Sequence, residues 1–183
     1  MNADAGQVCL ITVDGTDFRI QEPQPFSPQW YSHKFNGPGV RYEVGICIKT
    51  GWIVWVHGPF PCGTWPDLAI ARNALIHELD PGEFYVADGG YRESFGWSDT
   101  PTGLHRLCDR TKALARARHE TVNGRFKVFG ALKQIYRHDL SLHSLVFRSI
   151  ANITQVSLRT KSPLFSIDYN EREMLAFDTS LLA

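Results

Sequence analysis

The sequence predicts an α/β fold: a central mixed five-stranded sheet, three antiparallel strands followed by parallel ones, flanked by helices. Apolar, β-branched runs at residues 7–20, 41–48 and 52–57 follow one another closely enough to form an antiparallel meander. A helical pattern over residues 64–80 then leads to a short apolar run at 83–87. A strand reached through a helix runs parallel to its neighbour. From about residue 109 apolar positions recur at helical spacing, so helices close the domain.

In the first run, QVCLITVDGTDFRI, Asp14 follows Leu10, Ile11, Thr12 and Val13 directly. A carboxylate inside such a run is expensive to bury unless a metal or a hydrogen-bond network compensates it. The other reading is a turn residue in an Asp-Gly hairpin, and both stand at this point. In an unbroken strand Asp17 faces the opposite side from Asp14. Residues 21–39 read as a loop rich in Pro, Ser, Asn and Gly, with Phe26, Trp30, Tyr31 and Phe35 expected to pin it to the body. Lys49, Thr50 and Gly51 connect the second and third strands.

The next helix starts with Thr64 as its expected cap, Pro66 in the first turn and Asp67 at the capping-box position. Leu68, Ala71, Leu75 and Leu79 form its apolar face, and Asp80-Pro81-Gly82 ends it. Asp88 follows the short strand at 83–87, before Gly89-Gly90. Ligands in α/β sheets gather at the carboxyl ends of strands, although Asp-Gly-Gly is also an ordinary turn. A last short strand is expected at 93–98. A long helix follows over 109–137, with Gly124 and Gly130 as weak points. A second helix spans 141–155, with Leu142, Leu145, Val146, Ile150 and Ile153 as its buried set.

The 183 residues suffice for one domain with a full core, and the 21% charged fraction is ordinary for a globular chain. No apolar run approaches a membrane span, and the N-terminus MNADAGQ lacks a signal-peptide pattern. Cys9, Cys47, Cys62 and Cys108 form no CxxC pair, so reduced thiols are expected rather than a zinc site. The net charge of zero hides an asymmetry. Residues 1–100 carry 6 Lys/Arg against 12 Asp/Glu, and residues 101–163 carry 12 against 3. A basic segment of this kind suits either a nucleic-acid surface or the solvated side of two helices.

The helix around residues 115–132 has two faces. Val122, Phe126, Phe129 and Tyr136 form an apolar stripe. Arg116, Glu120, Asn123 and Lys127 form a separate polar stripe, readable by itself as an exposed Arg116–Glu120 ion pair. With Asp14 and Asp88, however, Glu120 completes a set of three carboxylates. The element order is that of an RNase H-like domain, in which the first and fourth strands lie side by side and bring Asp14 to Asp88. Phosphodiester attack builds negative charge that two divalent ions can clamp, and Mg2+ or Mn2+ prefers carboxylate ligands. Arg116 and Lys127 would then meet DNA phosphates.

Five short motifs carry a resemblance that spans about residues 9–165. They are VDGT (13–16), HGPFPCGTWPD (57–67), ADGGYR (87–92), RHETVNGRFKVFGAL (118–132) and RHDLSLHSLVFRSIANITQ (137–155). In this order they resemble the catalytic core of DDE transposases, most closely PIF/Harbinger-like DDE superfamily endonucleases. The resemblance implies that Asp14, Asp88 and Glu120 are the catalytic, metal-binding triad for two Mg2+ or Mn2+ ions. Arg116, Arg118, Asn123 and Lys127 are the expected DNA contacts. Residues 1–163 are the expected core and 164–183 an acidic tail. Such transposases usually carry a helix-turn-helix region before the first catalytic strand; here that strand starts within about ten residues of Met1, so none is expected. DNA, a separate DNA-binding chain and a second copy of the chain are the expected partners, with no membrane. The expected location is nuclear in a eukaryote and otherwise cytoplasmic, not secreted. Two competing readings are a transposase-derived DNA-binding or interaction protein without the reaction, and a structure-selective nuclease of the wider RNase H-like group.

Overall fold

The computed structural model describes residues 8–80, 83–91, 98–99 and 106–167. In chain order its elements are β1 (Val8–Arg19), β2 (Tyr31–Ser32), β3 (Gly37–Cys47), β4 (Ile53–Pro61), α1 (Asp67–Asn73), α2 (Leu75–Glu78), β5 (Glu83–Val86), β6 (Ser98–Asp99), α3 (Arg106–Phe126), α4 (Gly130–Lys133) and α5 (His143–Thr160). The fold is mixed α/β, with helices flanking a mixed sheet. Central β1 pairs antiparallel with β3 and parallel with β5. On the outer side of β3 lies β4, antiparallel, and β6 extends β5 in parallel. Among the described residues the sheet has six strands rather than five, because β2 arises inside the segment read as loop and pairs with the start of β3. Of the strand expected at 93–98, residues 93–97 lie outside the described residues.

The Asp-Gly hairpin reading is excluded. Asp14 pairs with Val44 and Gly15 with Glu43 in the middle of a continuous ladder. Side chains alternate about that ladder, as the two-residue period of a strand requires. Phe18, Ile20, Tyr42, Val44 and Ile46 pack on one face against α3 and α5 through Val122, Phe126, Phe147 and Ile150. Val13, Tyr85 and Ala87 pack on the other against Ala71, Leu75 and Tyr91. Tyr42 and Phe147 stack with ring centroids 3.9 Å apart, which seats α5 on β3.

Several helix expectations need correction. Pro66 is the residue before α1, and no side chain caps that helix, so Thr64 does not serve as its cap. Ala74, at φ −140° and ψ −59°, splits the expected single helix into α1 and α2. The long helix ends at Phe126, where residues 127–129 form a turn before α4. Tyr136 is therefore buried through a bridge to Ile20, not through a helix face. On α5 the buried set is His143, Phe147, Ile150, Ala151, Thr154 and Leu158. Leu142, Leu145 and Ile153 are at least half exposed instead. His143 takes the core position because its Nδ1 lies 2.8 Å from the Tyr42 hydroxyl. Burial also pulls its pKa down to about 4, so the ring stays neutral.

Cys47 and Cys62 are free thiols, and burial pushes the Cys62 thiol up to about 12. The side chains of Cys9 and Cys108 lie outside the described ones. Among the described residues no helix is long and apolar enough to cross a membrane.

Candidate active site

The register of β1 against β5 sets the first two acids side by side. Thr12 pairs with Val86 in the parallel ladder. Two residues farther along each chain stand Asp14 and Asp88, level with one another and both half-buried. Asp88 lies just beyond the end of β5, where its Oδ1 accepts from the Gly90 backbone N–H at 2.8 Å. The third acid reaches the same place from α3. Asp14, Asp88 and Glu120 all line one open groove of about 870 Å3.

The polar stripe lines that groove as a unit: Arg116, Glu120 and Asn123 from α3, and Lys127 from the turn that follows it. Lys34 also lines it, although residues 21–39 gave no functional signal in the sequence. Its Nζ donates to the Gly15 carbonyl at 2.7 Å and lies 4.0 Å from Asp17. Arg118 is different. It is 2% exposed, and its guanidinium donates to the carbonyls of Ile48 and Phe165. That correction follows from helix geometry. Two residues from Arg116 is about 200° around the helix, so Arg118 faces the sheet rather than the groove.

Charge is concentrated under the groove. Burial pushes the Asp14 carboxyl up to about 6. The Lys34 charge opposes this, the charges of Asp67 and Asp88 add to it, and a hydrogen bond from Gly15 opposes it. Asp67, from the first turn of α1, lies against β1 so closely that a Cβ at Gly15 would collide with its carboxylate. A side chain at position 15 would have to push that carboxylate away from Arg41. Burial raises the Asp67 carboxyl as well, against the pull of Arg41 and Lys34.

Arg41 holds this acidic layer together. It donates to both oxygens of buried Asp17, at 2.7 Å from Nε and 3.0 Å from Nη2. Its Nη1 lies 3.2 Å from Asp67 Oδ1, near enough for strong attraction but not aligned as a hydrogen bond. Beside them Glu43 is fully buried, accepts from Trp55 Nε1 at 2.8 Å, and is pushed up to about 7 by desolvation. In the sequence Asp67 shows only a role at the helix start, and neither Arg41 nor Glu43 stands out.

The donor set around Asp14 and Asp88 is oxygen only, as hard divalent ions prefer. Among the described residues no three His, Cys, Asp or Glu side chains converge on a single point that could hold one ion. An ion that keeps several of its waters needs only one or two carboxylates, so Asp14 with Asp88, and Glu120 in the same groove, fit such ions.

A family model described as DDE superfamily endonuclease matches residues 13–158, from the strand that carries Asp14 to the end of α5. The chain belongs to this family. The match runs from within β1 through β5 and the α3 stripe, and so includes Asp14, Asp88 and Glu120. It places the chain among transposase-like nucleases, whose superfamily is in general divalent-metal dependent and acts on DNA. No curated protein and no solved structure gives a match.

Proposed function

We propose that the chain is a metal-dependent DNA endonuclease core of the transposase type, PIF/Harbinger-like in subfamily and RNase H-like in fold, with residues 1–163 as the catalytic unit. The observation that carries this reading is the convergence of Asp14, Asp88 and Glu120, from three distant stretches of sequence, on one groove. Asp14, Asp88 and Glu120 would together hold two Mg2+ or Mn2+ ions through their carboxylate oxygens. When bound, the ions would lower the pKa of the attacking water and offset charge on the leaving oxygen. Hydrolysis forms a bond from the water oxygen to phosphorus and breaks the P–O3′ bond, giving a 5′-phosphate and a 3′-OH. In transposition that 3′-OH attacks target DNA next.

The remaining groove residues bind and orient the substrate. Arg116 and Asn123 on α3, and Lys127 just past its end, offer donors to backbone phosphates along one side of the groove, and Lys34 adds a cation beside Asp14. Such contacts are independent of base sequence and weaken as salt rises. Arg118 is not assigned to DNA, since its donors are committed to carbonyls. Joining two DNA ends calls for two cores, so self-association or a separate DNA-binding chain accompanies the active form.

Cleavage of supercoiled and linear duplex in Mg2+ or Mn2+ tests the reading. Asp14→Asn, Asp88→Asn and Glu120→Gln should each cut at least about 10²–10³-fold more slowly, the scale of losing one strong electrostatic stabiliser. Cleavage that is unchanged in all three variants, or that needs no metal, contradicts it.

A further inference from the structure

The three acids are each measured from one buried junction. Thr12 stands two residues before Asp14 and pairs with Val86, two residues before Asp88. His119 stands immediately before Glu120, and its Nε2 lies 2.8 Å from Thr12 Oγ1. The Thr12 hydroxyl donates in turn to the Ile46 carbonyl at 3.3 Å. With the proton on Nε2, the bonds run in one direction from His119 through Thr12 to Ile46. Thr12 is 1% exposed and His119 3%, so neither group has water as an alternative partner.

Apolar packing of Ala115 and Val122 holds α3 on the sheet, but such contacts are non-directional. They fix the height and rotation of a helix less sharply than a directional bond does. A buried hydrogen bond fixes both, and breaking it strands a desolvated polar group. A slide of one residue, about 1.5 Å, would be enough to displace Glu120 from the acids it must act with.

We infer that His119 is a positioning residue: by bonding Thr12 it fixes the height and rotation of α3 so that Glu120 is presented to the groove together with Asp14 and Asp88. This rests on the reading of those acids as a metal site. Arg118, bonded to the carbonyls of Ile48 and Phe165, is a second tether one residue away on the same helix.

Mn2+ titration by calorimetry tests the inference on Thr12→Val, Thr12→Ser, His119→Ala and Leu158→Ala, each held well below its melting temperature and checked by near-UV circular dichroism. Leu158 is a buried α5 residue, so its variant loses stability without touching the junction. Thr12→Val and His119→Ala should bind Mn2+ about 10–100-fold more weakly, while Thr12→Ser, which keeps the hydroxyl, and Leu158→Ala stay within about twofold of wild type. Wild-type affinity in Thr12→Val and His119→Ala would overturn the positioning role alone. So would an equal loss in Leu158→Ala, which would make affinity a matter of general stability. Absence of Mn2+ binding by the wild type would instead overturn the metal-site reading, and this inference with it.

Discussion

Asp14→Asn is expected to make the metal-free protein more stable at neutral pH while removing its activity. The Asp14 carboxyl is pushed from 3.8 to about 6 by burial and by the charges of Asp67 and Asp88, against the pull of Lys34. Between those values the folded protein holds a proton that the unfolded chain has released. The stability this group contributes is therefore full below the unfolded value and is lost as pH rises through the folded one. Above it, an ionised and desolvated Asp14 opposes folding, by up to about 3 kcal/mol for a shift of this size. Asparagine keeps the shape and the acceptor oxygen without the charge. Urea unfolding without metal, followed from about pH 5 to about pH 8, should show wild type losing stability relative to Asp14→Asn as pH rises. Saturating Mn2+ should reverse the order, because it stabilises only the protein that binds it. A variant no more stable than wild type at the upper end of that range contradicts the expectation.

The largest loss of stability is expected from Arg41→Met. Burial pushes the Asp17 carboxyl up, but hydrogen bonds from Arg41 and Ser32 and the charges of Lys34 and Arg41 outweigh it, leaving it below the ordinary value. A depressed folded-state value means that the contribution is present at neutral pH and disappears as pH falls through it. Methionine fills much of the volume of arginine but leaves buried Asp17 without its main partner and Asp67 without its nearest cation. Breaking a buried pair by removing one member costs about 3–5 kcal/mol. Denaturant unfolding should show a loss of that size at neutral pH and a smaller gap in acid, where protonation relieves the unpaired Asp17 of the variant. A loss under about 1 kcal/mol at neutral pH, the range of an exposed pair, would mean that Arg41 does not hold this layer together.

Much of this arrangement is legible in the sequence because strands and helices have fixed periods. Asp14 and Asp17 fall three residues apart on β1 and so point to opposite faces, one into the groove with α3 and the other to Arg41. Arg116, Glu120 and Asn123 share one face of α3 because their spacing follows the helical turn, and Lys127, just past the helix end, continues it. The same rule, applied to Arg118, assigns it to the sheet side from its spacing to Arg116 alone. What periodicity does not carry is tertiary. Asp67 has a sufficient local explanation at a helix start, and only the approach of α1 to Gly15 reveals it in the charged layer beneath the groove. Lys34 lies in a stretch without periodicity. The buried face of α5 is misjudged from sequence because His143 and Thr154 count as polar, whereas Tyr42 supplies the hydrogen bond that lets His143 enter the core.

The most direct measurement is calorimetric titration of Mn2+ into wild type and Asp88→Asn at about pH 7.5, above the value at which Asp14 ionises. The groove acids predict binding by wild type and a loss of at least about tenfold in affinity in the variant. Equal binding by the two proteins, or none by either, would contradict a metal site built from these carboxylates.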